Sequence, residues 1–365
     1  MANRNLRVAL IGQGFMGRAH SNAWRQVGHY FDVPYAIDTA VLCGRNADGL
    51  AKMAATWGWR ETSTDWREVV QRADIDVVDV AVPNVLHAEV VLAAAEAGKI
   101  VLCEKPLGIS TDETARMAAA VAGKPNMVWF NYRRVPAVSL AKRMIDEGKL
   151  GGVFHYRAQY LQEWGNDPTR PPNWKTSRAG AGSGVVGDLM THSLDLALWL
   201  NGPLSEVMAM QHTFATGRDI DDATLVLARF ANGSIGSFEA TRYATGCRNR
   251  NAFEIHGERG ALGFDLEDLT RLTWFDATEP RDMQAAKKIL VGAAGHPYAG
   301  NFWKLGHVSG YEHTFIAALG DFLGALSRGE KFEPGFTEGH RVQLAVRAIE
   351  ESAARRGWVT VSQDE

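Results

Sequence analysis

Residues Gly12-Gln13-Gly14-Phe15-Met16-Gly17 follow the apolar run 6–11 and open a helix-like segment. Three glycines at that spacing, between a strand and a helix, leave few folds open. The first permits a tight turn, the second lets main chain approach a pyrophosphate, and the third lets helix and strand pack closely. The helix start offers free N–H groups and a partial positive charge to phosphate. Further apolar runs at 40–43, 77–82, 100–103 and 127–130 alternate with helix-like stretches such as 87–97 and 112–121. Apolar runs without strict alternation indicate a parallel sheet covered on both faces. The first part of the chain therefore reads as an α/β Rossmann domain that binds a dinucleotide at Gly12, Gly14, Phe15, Met16 and Gly17.

A chain of 365 residues is long for one core, so a second domain is expected. Beyond an amphipathic helix near 137–147 the pattern changes to alternating strands at 153–162, 207–214, 223–231, 234–243, 251–256 and 262–266. Asn232-Gly233 lies between two of them, a strong hairpin signal, and Glu258-Arg259-Gly260 reads as another tight turn. These features predict an α+β domain with an open, mostly antiparallel sheet. The domains expected are 1–132 for the dinucleotide and 133–365 for substrate binding and oligomerisation.

The net charge of −3 gives no basic footprint for nucleic acid. The cysteines, Cys43, Cys103 and Cys247, are scattered and form no CxxC pair, which argues against a disulfide framework or a zinc site and fits a reducing compartment. No metal is expected. No apolar stretch is long enough to span a bilayer. The fingerprint begins too early to leave room for a signal peptide, so the expectation is a cytoplasmic protein.

The end of the second strand usually places an acid on the ribose hydroxyls. Here it reads Cys43-Gly44-Arg45-Asn46. Arg45 can stack on adenine or meet a 2′-phosphate, and Asn46 can hydrogen-bond ribose, so NAD and NADP both stay open. Asp38 falls too early, ahead of the strand, and Asp48 falls in the next helix. Pro83-Asn84 ends a later strand, with His87 inside the following helix. Asn84 is placed to touch the cofactor or to serve as a turn residue, and His87 to pack near the phosphates.

Two constellations carry chemistry. Glu104-Lys105-Pro106 ends the apolar run 100–103 at the mouth of the expected cleft. The proline stops strand pairing and aims Lys105. A lysine beside an oxidised nicotinamide has its pKa lowered and can hydrogen-bond a substrate oxygen. The second is Gly187-Asp188-Leu189-Met190-Thr191-His192. A spacing of four sets Asp188 and His192 on one helical face. Histidine can accept a hydroxyl proton near neutral pH while the carboxylate orients it.

Gly12 through His20, Pro83-Asn84 with His87, Glu104-Lys105-Pro106, Asn131-Tyr132-Arg133 and Asp188 with His192 together resemble the glucose–fructose oxidoreductase / inositol dehydrogenase (Gfo/Idh/MocA) family. The resemblance covers essentially the whole chain in the same order. It implies hydride transfer between a sugar-like alcohol and NAD(P). It gives Lys105, Asp188 and His192 the catalytic roles, Glu104 a supporting role near the nicotinamide, and Asn131 a place at the cofactor. Residues 130–137, 182–185 and 310–315 are similar to the levoglucosan dehydrogenase-like branch, which oxidises a ring hydroxyl of an anhydrosugar or pyranose to a ketone with NAD.

Sugars are held by hydrogen-bonding side chains and an aromatic face. Alternation along 153–162 places Tyr156, Tyr160 and Gln162 on one face. Pro171-Pro172-Asn173-Trp174-Lys175 reads as a stiff aromatic loop. Tyr132, Gln162 and Trp174 are the substrate contacts expected, with Lys105, Asp188 and His192. The function expected is an NAD(P)-dependent sugar or polyol dehydrogenase, with Lys105 or His192 as direct proton acceptor. The alternatives are an inositol dehydrogenase with the same catalytic set, or a nucleotide-binding regulator without catalysis. The partners expected are a small sugar or polyol substrate and further copies of the chain, as a homodimer or homotetramer through the open sheet face.

Overall fold

The computed structural model describes residues 4–167, 169, 171 and 173–363. The chain forms two compact units, Met1–Asn131 with Gly310–His340, and Tyr132–Ser309 with Arg341–Glu365.

The first unit is built on a parallel sheet of β1 (Arg4–Ile11), β2 (Tyr35–Cys43), β3 (Glu61–Ser63), β4 (Val77–Val80), β5 (Ile100–Cys103) and β6 (Asn126–Val128). The order is β3-β2-β1-β4-β5-β6. It reverses between β1 and β4, and that reversal opens a crevice beyond the strands' C-terminal ends. Val8, Leu10, Val77, Val78, Val101 and Leu102 are buried, as a sheet covered on both faces requires.

Two glycines bring the helix Phe15–Tyr30 against β1. At Gly12, with φ +135°, an added Cβ would stand 2.2 Å from the Ala81 carbonyl oxygen. At Gly17 it would stand 2.2 Å from that of Gly12. Around Gly14 the same construction meets nothing within 4 Å.

Asp38 lies inside β2 and not ahead of it, buried and paired with Arg7 at 3.3 Å and Arg60 at 2.9 Å. The run 40–43 marks only the buried half of that strand. The run 77–82 leaves the sheet at Val80 and passes through Pro83 into the short turn Asn84–Leu86.

The second unit carries nine strands, β7 (Val153–Leu161), β8 (Leu204–His212), β9 (Ala223–Phe230), β10 (Ile235–Thr241), β11 (Arg250–Gly257), β12 (Gly260–Asp265), β13 (Arg271–Asp276), β14 (Ala286–Leu290) and β15 (Val359–Thr360). Their order is β14-β13-β12-β11-β7-β10-β9-β8-β15. Among the described residues only β7 and β10 of this sheet pair in parallel. Asn232-Gly233 turns β9 into β10, with Gly233 at φ +88°. The helix Thr191–Asn201 packs on β7 and β11. On the opposite face Met208, Met210, Leu225 and Leu227 are exposed, around a concavity of about 1000 Å³. Among the described residues no helix is long and apolar enough to cross a membrane.

Gly12→Ala places a methyl group against the Ala81 carbonyl in a backbone region that L-residues avoid. It is expected to cost at least ~1–3 kcal/mol, read as a lower midpoint of thermal unfolding. An unchanged midpoint would show that this close approach is not needed.

Candidate active site

The first unit gathers one half of the expected residues at the C-terminal ends of β1, β2, β4 and β5. Gly14 caps the helix Phe15–Tyr30 without a side-chain bond, and the first turn holds no acid. Its first N–H groups thus have no side-chain cap, and the space a Cβ would take at Gly14 is open, which suits a pyrophosphate. Phe15 is largely exposed and stacks on Tyr311 at 6.2 Å.

Gln13 joins this turn to the end of β2. Its Oε1 accepts from the Asn46 N–H at 2.9 Å and its Nε2 donates to the Asn46 carbonyl at 3.0 Å. Asn46 also caps the helix Ala47–Trp57, accepting from the Gly49 N–H at 3.2 Å. Gly44 fits under Gln13, where a Cβ would lie 2.4 Å from Oε1. Arg45 is exposed beside them.

His87 is fully buried, not open to a ligand. Its Nδ1 faces the Pro106 carbonyl at 2.9 Å and its Nε2 the Val82 carbonyl at 3.0 Å. Its ring lies between the loop after β4 and the loop after β5, and its one N–H donates to the carbonyl of one of them. Burial, the largest influence, holds its pKa below the ordinary value. Asn84 is buried between these loops, Pro83 precedes it, and Lys105 is partly buried at the end of β5. Asn131 is buried, its amide donating to Thr314 Oγ1 at 2.7 Å.

Beneath Lys105 lies a polar cluster that sequence reading does not reveal. His20 and Asp79 are wholly buried. His20 Nδ1 meets both Asp79 oxygens at 3.1 Å, and Nε2 meets Glu104 Oε1 at 2.9 Å. Asp79 also accepts from the indoles of Trp24 at 2.8 Å and Trp129 at 2.9 Å. Glu104 Oε2 accepts from the Lys105 N–H at 3.0 Å. The position of the lysine main chain is thus tied to a carboxylate that the histidine holds.

The second unit gathers the other half. Residues Val186–Met190 form a π-helical turn that runs into the α-helix Thr191–Asn201. The four-residue spacing of Asp188 and His192 therefore crosses from one helix type to the other, a device frequent at functional sites. Buried Asp221 fixes the entry, accepting from the N–H groups of Gly184 at 2.8 Å and Val186 at 2.9 Å. Gly184 is required there, because a Cβ would stand 1.9 Å from the Asp221 carbonyl oxygen.

Asp188 is held between two cations, Lys175 Nζ at 3.0 Å and Arg242 Nη2 at 3.1 Å. Arg242 is buried over the Trp164 ring and also donates to the Lys175 carbonyl at 3.2 Å. His192 is buried with its ring 4.5 Å from that of Tyr132 and 5.8 Å from that of Tyr160. The hydroxyls of Tyr132 and Tyr160 lie 3.1 Å apart, and Tyr160 donates to Asn249 at 3.0 Å. Gln162 donates to the same Asn249 oxygen at 2.6 Å and accepts from the Trp164 indole at 2.6 Å.

Tyr156 does not belong to this wall. It is buried among Phe230, Phe238 and Phe253, and burial pushes its hydroxyl pKa far up. Trp174 is partly exposed in a short turn capped by Asn173. Pro172 of the same loop lies outside the described residues. Lys175, Arg242, Asp221, Asn249 and Asp79 escape sequence reading because each is a single polar residue without a spacing signal, and His20 is legible only as the end of the glycine motif, without its partners.

Comparison with known proteins places these halves in one lineage. Residues 6–132 match the oxidoreductase family with an NAD-binding Rossmann fold, and residues 138–263 match the GFO/IDH/MocA C-terminal domain. Levoglucosan dehydrogenase of Pseudarthrobacter phenanthrenivorans is 40% identical, over 99% of both chains. A solved structure of levoglucosan dehydrogenase in complex with NADH and levoglucosan superposes with a TM-score of 0.96 at 41% identity, covering 99% of this chain and 100% of that one. Inositol 2-dehydrogenase of Rhizobium meliloti is 24% identical over 96% of both chains. A glycine fingerprint, a lysine at the end of β5 and an open second sheet thus belong to an NAD-dependent oxidoreductase. The chain is a member of the Gfo/Idh/MocA family.

One pH dependence follows from the buried cluster. Burial, the largest influence on His20, opposes its charged form, but the charge and hydrogen bond of Asp79 and those of Glu104 outweigh it and raise the pKa to about 9. A base raised above its ordinary 6.5 stabilises the fold fully below that value, and the stabilisation is lost as pH rises through the folded value. The thermal midpoint should therefore fall between pH 6.5 and about 9, and fall less in His20→Gln. Equal slopes in the two proteins would remove His20 as the cause.

Proposed function

We propose that the protein oxidises a secondary ring hydroxyl of levoglucosan, or of a closely similar anhydrosugar or pyranose, to a ketone. The observation that carries this reading is the match to levoglucosan dehydrogenase over 99% of both chains. The first domain, 1–132, binds the dinucleotide. The second, 133–365 without the stretch Gly310–His340 that belongs to the first compact unit, binds the sugar and joins copies of the chain.

NAD, when bound, supplies the hydride acceptor. Gly12, Gly14, Phe15, Met16 and Gly17 take the pyrophosphate side, and Gly44, Arg45 and Asn46 the adenosine side. Pro83, Asn84, Glu104, Lys105 and Asn131 take the nicotinamide side, where His87 lies between two loops. Lys105 donates a hydrogen bond to the substrate oxygen and lowers the cost of negative charge there. His192 accepts the hydroxyl proton. Asp188 stabilises the resulting imidazolium and, held by Lys175 and Arg242, works as a fixed charge. Tyr132, Gln162 and Trp174 line the sugar. The protein acts in the cytoplasm.

Lys105→Ala and His192→Ala are each expected to lower turnover at least ~100-fold, while NAD binding by calorimetry is kept. Near-normal turnover in either variant removes that residue from the mechanism. The substrate is tested by NADH absorbance with levoglucosan, glucose and myo-inositol. Turnover confined to myo-inositol would overturn the anhydrosugar reading and favour the inositol enzyme.

Met208, Met210, Leu225 and Leu227 are exposed together on one sheet face, and neighbouring exposed apolar side chains of this kind mark interaction surfaces. We propose that a second copy of the chain covers it. Leu225→Glu with Leu227→Glu is expected to halve the mass, or reduce it further, by light scattering. A parent protein already monomeric at all concentrations would refute this.

A further inference from the structure

The cluster of Asp79, His20 and Glu104 has a charge that can be counted from its geometry. Each ring nitrogen of His20 faces a carboxylate oxygen, at 3.1 Å and 2.9 Å. Each of these contacts holds one proton. Two carboxylates and an imidazolate that share two protons carry a net charge of −1, wherever the protons sit. The other donors, the Trp24 and Trp129 indoles and the Lys105 N–H, stabilise that charge without cancelling it. His20 and Asp79 are sealed from water, so salt screens the cluster weakly.

Its place in the first unit gives the charge a use. In this sheet order a dinucleotide straddles the reversal between β1 and β4. Its adenosine half runs over the end of β2, and its other half over the ends of β4 and β5. Glu104 is the first residue beyond β5. An oxidised nicotinamide ring carries a positive charge and the reduced ring carries none, so a fixed anion attracts only the former.

We propose that the His20–Asp79–Glu104 cluster is a fixed negative charge under the nicotinamide end of the NAD site, which favours the oxidised cofactor over the reduced one. The inference rests on reading the Lys105 end as the nicotinamide end. His20 and Asp79 are positioning residues that act through Glu104.

Charge counting sets an unusual test. Glu104→Gln keeps both hydrogen bonds, since its oxygen accepts from the Lys105 N–H and its amide donates to His20. One proton remains between Asp79 and His20, and the net charge stays the same. Asp79→Asn keeps the charge, with the proton between His20 and Glu104, although its amide nitrogen costs one indole its acceptor. Only the double variant makes the cluster neutral.

The dissociation constants of NAD⁺ and NADH are measured by calorimetry on the full-length protein and the three variants, with circular dichroism to confirm folding. Each single variant is expected to keep the ratio Kd(NADH)/Kd(NAD⁺) within about two-fold. The double variant should lower it about ten-fold, equal to ~1.4 kcal/mol of charge interaction. A folded double variant with the parent ratio overturns the proposal. So does a ten-fold shift in Glu104→Gln alone, which would assign the effect to that one carboxylate; this arm decides the matter if the double variant does not fold. If the Lys105 end were misassigned, Lys105→Ala would also keep its turnover. If only the charge inference fails, that variant still loses turnover.

Discussion

A carboxylate in the middle of a parallel sheet has to be met by donors, and Asp79 organises the first unit around that demand. It lies on β4 between valines, without access to water. Two indoles and an imidazole answer it, from the helix Phe15–Tyr30 and from the segment after β6. The imidazole then reaches Glu104 at the end of β5. One buried group thereby fixes the rotation of the first helix, the seat of Trp129 and the exit of the strand that presents Lys105. Removing one partner from such a set costs about 3–5 kcal/mol, because the others stay buried without it.

The second unit uses charge in a different manner. Asp188 sits at a partly solvated edge, where Lys175 and Arg242 hold one oxygen each. Its orientation comes from a loop and a strand end, and the turn that carries it is set by Asp221 from outside the helix. Nearby, His192 is packed against two tyrosine rings. The carboxylate is therefore aimed by cations and the imidazole by aromatic faces.

What could be read from the sequence follows the same division. The central strands are legible because burial on both faces leaves unbroken apolar runs, as at 77–80 and 100–103. The glycine turn is legible because its sterics admit no other residue at Gly12 or Gly17. The short strand β3, Glu-Thr-Ser, has no apolar signal. Strands β13 and β14 mix charged residues with apolar ones and leave little pattern to read. Asp38 reads as lying ahead of the strand because the outer half of β2 alternates like a surface strand. Tyr156 fits the period-two argument, but that argument cannot tell a ligand wall from a core packed with phenylalanines. The polar partners, His20, Asp79, Asp221, Arg242 and Asn249, meet only through tertiary structure, so no spacing announces them.

The bridge from Gln13 to Asn46 has a consequence for how such a protein can change its cofactor. The end of β2, where an acid commonly meets ribose, is occupied at Gly44 by the Gln13 side chain. A side chain cannot enter that position until Gln13 shrinks or turns away, and then the loop through Asn46 loses its anchor. A change at position 44 therefore calls for changes at 13 and 46. A redesign of adenosine recognition has to treat them as one unit, although the first belongs to the phosphate turn and the others to the next strand.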